Sequence, residues 1–288
     1  MEHSNLSLSK SRGQRAGLIR TLLITISSWA ITFYYSFKAI VVVMSSSNPR
    51  PTIDRVIRQW SSRLISLINL KVVVKGNFER DESRPCIVMC SHSSAYDIPV
   101  SFLAIPGSLR MLAKKELFQI PLFGRAMRLS EFISINRQNK EQARQDLLLA
   151  KAKMEDGIML WVAPEGTRSA DGQLLPFKKG GMHLAIQTQA LIIPVAIKDI
   201  HRVLPAKRFR MNFNQTIEFR VGNAIDASEY TIESRKALSD AVRDQMQSLL
   251  EPEIVSDLPQ NITNEKKPDS IAASHDGSLN SDMKQDIK

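Results

Sequence analysis

Two textures of hydrophobic and polar positions divide the chain. Residues 21–37 carry no charge, and after Lys38 the apolar run resumes over residues 39–44. That stretch reaches the length of about 20 apolar residues that a membrane helix needs, provided Lys38 snorkels or meets a partner. A second helical pattern follows over residues 52–70, where Ile53, Ile57, Trp60, Leu64 and Leu67 recur with arginines between them. From Lys71 the texture changes. Residues 72–75, 86–90, 132–135, 158–163, 192–197 and 216–221 are short β-branched or apolar runs of strand length. Helical patterns separate them. Residues 139–156 place Ala143, Leu147, Ala150 and Met154 on one stripe, with Gly157 as the stop signal. Leu238, Val242, Met246 and Leu249 mark a late helix. The alternation predicts an α/β sheet covered by helices, with chemistry on the loops that follow the strands.

Charge placement refines the first segment. Arg12, Arg15 and Arg20 precede the apolar run, and Arg50, Arg55, Arg58 and Arg63 follow it. A single span would put one basic flank outside, against the usual bias. A helical hairpin over residues 17–70, dipping into the cytoplasmic leaflet and returning, keeps both flanks beside anionic lipid. No small-x-small cleavage site supports a signal peptide. The organisation expected is therefore a basic segment at residues 1–16, a membrane-associated hairpin at 17–70, a folded domain at 71–250 and a tail at 251–288. The tail holds eight acidic and four basic residues with few large apolar ones, a composition that predicts disorder.

At 288 residues the chain can bury one sizeable core. Its net charge of +10 asks for an anionic partner. Aromatics make up only 6%, and neither an Arg-rich helix nor zinc-finger spacing is present, so a membrane surface or a phosphorylated substrate fits better than nucleic acid. Cys86 and Cys90 lie four residues apart in one apolar run. Along a strand that is roughly 13 Å, too far for a disulfide, so both read as reduced core residues.

The candidate chemistry sits in His92-Ser93-Ser94-Ala95-Tyr96-Asp97 and Pro164-Glu165-Gly166-Thr167-Arg168-Ser169. His92 follows an apolar strand directly, and Asp97 opens the next apolar stretch. A carboxylate on one imidazole nitrogen leaves the other free to accept a proton. Taken alone, the pair is also what a loop histidine beside a helix-capping aspartate would look like. His3, His183, His201 and His275 lack such a partner. In the second run Gly166 allows a turn, Arg168 can fork onto phosphate oxygens and Glu165 can accept from hydroxyls. A surface turn with an internal ion pair is the bland alternative. Arg137, Lys114, Lys115 and the basic run Lys178-Lys179-Gly180-Gly181 add cations near successive strand or helix ends.

These blocks, in this order, resemble the glycerolipid acyltransferases, and among them the 1-acyl-sn-glycerol-3-phosphate acyltransferases. The resemblance covers residues 72–221. His92 and Asp97 match the histidine-x4-aspartate block, and Ile135-Asn136-Arg137 matches the second block. Residues 164–169 match the third nearly in full, and Ile193-Pro194-Val195 matches the fourth. The connector over residues 113–124 also looks like the family's. Departures are Glu131 where glycine is usual, Asn136 for aspartate, Ala163 for phenylalanine and Ser91 for asparagine.

What the resemblance implies agrees with the chemistry of the residues. The fold would be a mixed central sheet covered by helices, of the glycerol-3-phosphate acyltransferase kind, with residues 71–250 as the acyltransferase domain. His92 would be the base and Asp97 its orienting carboxylate. Arg137, Arg168 and Lys114 would bind the substrate phosphate, and Glu165, Gly166 and Thr167 would order the site. The expected reaction takes an acyl group from acyl-CoA or acyl carrier protein to the sn-2 hydroxyl of lysophosphatidic acid, with no metal and no cofactor beyond that co-substrate. Other acceptors remain as alternatives: another lysophospholipid, glycerol-3-phosphate or a lyso-aminolipid. A non-catalytic membrane-binding protein and a nucleic-acid binder are the rivals from other classes. The first has no use for a poised base, and the second would need steeply salt-dependent affinity. The expected place is the cytoplasmic face of a membrane, the inner membrane if bacterial.

Overall fold

An apolar stretch with no proline before Pro49 has nothing to interrupt a helix, and α1 runs unbroken from Leu18 to Ser45 through Arg20 and Lys38, 28 residues with mean hydropathy 1.4. Its hydroxyls bond back to their own helix: Thr25 to the Thr21 carbonyl, Thr32 to Ser28 and Ser36 to Thr32. A short turn leads into α2 (Arg50–Leu67), whose proline lies in the first turn, where a missing N–H costs nothing. The structure is a computed structural model that describes residues 17–136, 139–206, 208 and 210–252. The expectations for residues 1–16 and for nearly all of the 251–288 tail lie outside the described residues.

Eight strands form one sheet: β1 (Lys71–Lys75), β2 (Cys86–Cys90), β3 (Leu109–Lys114), β4 (Ile133–Ile135), β5 (Met159–Val162), β6 (Leu191–Lys198), β7 (Thr216–Val221) and β8 (Ile225–Asp226). The order is β1-β7-β6-β2-β5-β3-β4, with β8 beside β6. β6 pairs antiparallel with β7 and β8, and the other pairs are parallel, so the sheet is mixed. The consequence for function is directional. β2, β3, β4, β5 and β6 all run the same way, and their C-terminal ends share one sheet edge.

The helices α3 (Asp97–Ala104), α4 (Phe123–Leu129), α5 (Lys140–Glu155), α6 (Lys179–Thr188) and α7 (Arg235–Leu250) complete the fold. Side chains alternate across the central strand. Cys86, Val88 and Cys90 join the core that includes Ile65 and Ile68 at the end of α2 and Val100 of α3, while Ile87 and Met89 join the core with Ala150 of α5, Leu184 of α6 and Val242 of α7. With both faces covered, β2 is buried at every residue, as its continuous apolar run requires. Both cysteines are free and buried, and burial pushes the Cys86 thiol up to about 12. Asn139 caps α5 by accepting from the Gln142 N–H, and Gly157 follows that helix at φ +83°.

Two features depart from the sequence reading. β3 went unanticipated because Arg110, its second residue, is charged. That guanidinium is 1% exposed, pairs with Asp54 of α2 at 2.7 Å and donates to the Ser130 and Leu109 carbonyls. The second departure concerns the arginines of α2. Arg55 and Arg63 are exposed, but Arg50 and Arg58 turn into the domain instead of facing anionic lipid. Arg50 forks onto both oxygens of Glu131 at 2.8 Å, and Arg58 donates to the Ile105 carbonyl at 2.8 Å. Arg50, Asp54 and Arg58 are spaced by four, so one face of α2 carries all three anchors. Glu131 itself has φ +66°, which accounts for the glycine usual there in the resembled family. Here the carboxylate gains Arg50 and Lys153 as partners in return for that strained backbone.

Candidate active site

The site grows from the end of β2. Ser91 continues the ladder past the strand, donating its N–H to the Val195 carbonyl while its Oγ accepts from the Ile197 N–H at 3.0 Å. The serine at this family-atypical position thus ties β2 to β6. His92 comes next, on the sheet edge. α3 begins at Asp97, and the intervening turn folds back so that Asp97 Oδ2 lies 2.7 Å from His92 Nδ1. The same oxygen accepts from the backbone N–H groups of Ser93 and Ser94, at 2.8 and 2.9 Å. Asp97 is fully buried, whereas the His92 side chain keeps 19% exposure. Facing a carboxylate, Nδ1 carries the ring proton and Nε2 presents a lone pair.

The loop after β5 holds the peptide of His92 from both sides. Glu165 Oε1 accepts the His92 N–H at 2.9 Å, and the Ser169 N–H donates to the His92 carbonyl at 2.7 Å. Glu165 Oε2 accepts from the Leu175 N–H. Both carboxylate oxygens therefore serve backbone amides, at a residue only 1% exposed, rather than substrate hydroxyls. Burial pushes the Glu165 carboxyl upward, opposed by those two amide donors. Gly166 adopts φ +71°, the left-handed conformation that lets the loop turn.

Thr167 and Arg168 are exposed on this same loop, next to Ser169. Lys114 is exposed at the last position of β3, beside Ile135 in register. β3 stands two strands from β2, so about 10 Å separates their ends at the usual strand spacing. Arg137 lies outside the described residues. The structure thus joins His92, Asp97, Glu165, Gly166 and Ser169 in one bonded unit and places Thr167, Arg168 and Lys114 along the same edge. Among the described residues no three His, Cys, Asp or Glu side chains gather as a metal site.

Sequence reasoning missed a cavity of about 450 Å³ lined by residues of the turn between His92 and Asp97 and by residues of the helices. Ala95, Tyr96, Trp29, Trp60, Phe102 and Met127 are among the residues that line it. Its size suits a small-molecule ligand. Burial pushes the Tyr96 hydroxyl up to about 12, so it stays neutral. One signal was available: Thr25, Ser28, Thr32 and Ser36 recur every three or four residues along an otherwise apolar helix, and all four line the cavity. Their hydroxyls are turned mostly onto their own helix, so the walls stay apolar.

Comparison with known proteins places this geometry in context. The sequence model of the Acyltransferase family matches residues 71–198. The human 1-acyl-sn-glycerol-3-phosphate acyltransferase beta is 30% identical over 213 residues, covering 73% of this chain and 76% of that protein. The 1-acyl-sn-glycerol-3-phosphate acyltransferase of Haemophilus influenzae is 30% identical over 194 residues, 67% of this chain and 79% of its own. The crystal structure of the 1-acyl-sn-glycerophosphate (LPA) acyltransferase of Thermotoga maritima superposes with a TM-score of 0.67 at 25% identity, covering 81% of this chain and 95% of that one.

Proposed function

The chain belongs to the acyltransferase family, and from that premise we propose that it moves a fatty acyl group from an acyl thioester to the sn-2 hydroxyl of 1-acyl-sn-glycerol-3-phosphate, giving phosphatidic acid. The observation that carries the reading is the His92–Asp97 pair, 2.7 Å apart, on a turn that also lines an apolar cavity. Nε2 of His92 takes the proton of the acceptor hydroxyl as its oxygen attacks the thioester carbonyl. Buried Asp97 stabilises the imidazolium that results. The tetrahedral oxyanion needs a donor, for which backbone amides at the sheet edge or Lys114 are the candidates. Its collapse breaks the C–S bond, and the departing thiolate takes the proton back from His92. Acyl and proton balance without an acyl-enzyme.

Arg168 and Lys114, with Arg137, are the cations assigned to the phosphate, and acyl-CoA or acyl carrier protein is the donor. The apolar cavity suits a fatty chain. α1 supports membrane association: it is long and apolar enough to cross a bilayer by length and composition, and Leu18, Leu22, Leu23, Ile26, Phe33 and Phe37 project outward from it. Packed against α2, it fits a hairpin lying in the cytoplasmic leaflet.

A panel of acceptors tests the assignment. Purified protein should convert lysophosphatidic acid faster than glycerol-3-phosphate, another lysophospholipid or a lyso-aminolipid, with acyl-CoA and acyl carrier protein compared as donors. Arg168→Ala should raise the KM for lysophosphatidic acid about tenfold, as expected for one charge-assisted contact. Preference for an acceptor without phosphate, or an unchanged KM, would overturn the phosphate assignment.

A further inference from the structure

Four contacts around the base close into a ring. His92 Nδ1 meets Asp97 Oδ2 at 2.7 Å, and Asp97 opens α3. One turn along that helix, Ser101 Oγ donates to the Asp97 carbonyl at 2.8 Å. The same hydroxyl accepts the indole N–H of Trp161 at 2.9 Å. Trp161, in β5, returns to the start: its ring meets the His92 imidazole edge to face, 5.6 Å between centroids at 83°. Trp161 is 3% exposed and Ser101 is 1% exposed, so both ends of the indole hydrogen bond are buried.

We propose that Trp161 is a positioning residue for the acyl transfer, a rigid shelf whose plane is set by Ser101 and which fixes the tilt of the His92 imidazole. The idea rests on the reading of His92 as the base. An aliphatic residue would fill this strand position as well as its neighbours Leu160 and Val162 fill theirs. An indole there brings a buried N–H that demands a partner, and the partner supplied is the hydroxyl already tied to Asp97. Asp97 restrains the imidazole at Nδ1 alone, which leaves rotation about that hydrogen bond. A buried aromatic ring packed edge to face on the imidazole removes that freedom and holds the Nε2 lone pair on the acceptor hydroxyl. Proton transfer is sensitive to such alignment. The ring also ties β5, β2 and α3 together, so the base is set by the sheet and not by its loop.

Trp161→Phe keeps an aromatic ring and loses the tie to Ser101; Ser101→Ala loses the tie from the other side and is the milder change to the core. Each should lower kcat about tenfold while acceptor KM stays within about twofold, since only alignment is lost. The double variant should be no worse than either single one, because both break the same link. Trp161→Leu should fall further. A second readout is independent of which acceptor is used. In histidine-labelled protein, with the His92 signals assigned by their loss in His92→Gln, the imidazole ring-proton shifts should move in Trp161→Phe and Ser101→Ala and lose their ring-current displacement in Trp161→Leu. Unmoved His92 signals overturn the proposal, as does wild-type kcat in both single variants. A wild type unable to acylate lysophosphatidic acid would instead overturn the functional reading, leaving the spectroscopic outcome to judge the shelf.

Discussion

Asp97 loads all of its partners onto one oxygen. Oδ2 receives Nδ1 and two backbone amides, while Oδ1 has no hydrogen-bond partner among the described residues. Asparagine can therefore keep its carbonyl oxygen where Oδ2 stands and preserve the imidazole tautomer. What it loses is the negative charge facing the imidazolium. Asp97→Asn should lower kcat roughly 10²-fold, less than a flipped tautomer would, and a near-wild-type kcat would show that the charge does not matter. Glu165 predicts a different signature. Removing its carboxylate strands the N–H groups of His92 and Leu175, a cost of about 1–3 kcal/mol for each buried donor. Glu165→Ala should reduce thermal stability and activity together, and unchanged melting would contradict the role of this carboxylate as a loop anchor. At this scale the sequence was legible where the partners are close in chain. His92 and Asp97 are five residues apart and read off directly. The tie from Glu165 to His92 spans 73 residues and that from Trp161 to Ser101 spans 60, and no spacing rule announces either.

At the scale of elements, strands declared themselves through β-branched runs, and helices through their stripes and stops. β3 hid because a charged residue near its start argues against burial unless its partner is known, and the partner of Arg110 is Asp54 on α2. For the same reason the arginines of α2 were read as facing lipid. Periodicity places Arg50, Asp54 and Arg58 on one face without saying what that face meets. The Arg50–Glu131–Lys153 cluster gives the prediction proper to this scale. The hydrogen bond from Arg50 holds the Glu131 carboxyl down at about 2, against an ordinary value of 4.5. A carboxyl lowered by folding contributes stability that is complete above its unfolded value and disappears as pH falls through the folded one. Melting temperature should therefore drop between about pH 5 and pH 2, and Glu131→Gln should flatten that slope. A variant with the wild-type acid limb would show that the cluster does not brace α2.

The whole molecule makes α1 more than an anchor. Its outer face is apolar, and its inner face walls the cavity that Ala95 and Tyr96 of the His92–Asp97 turn also line. Beyond the hydroxyl stripe of α1, such a wall leaves no mark in the chain, because the elements that form it are distant in sequence. Deleting residues 1–47 should lower vesicle association and also abolish turnover of a dispersed short-chain acceptor, because the cavity opens on one side. A soluble, fully active truncate would reduce α1 to a tether. Ionic strength should weaken binding to anionic vesicles more than turnover of that dispersed acceptor, since exposed charges are screened beyond about 10 Å at 0.1 M salt.

The central claim is that one imidazole, aligned by buried groups, removes the acceptor's proton. Single-turnover acyl transfer to lysophosphatidic acid, compared between wild type and His92→Ala at matched melting temperature and vesicle binding, tests it most directly. The account predicts a loss of at least about 10³-fold in the variant. Transfer at a rate near that of the wild type would contradict it.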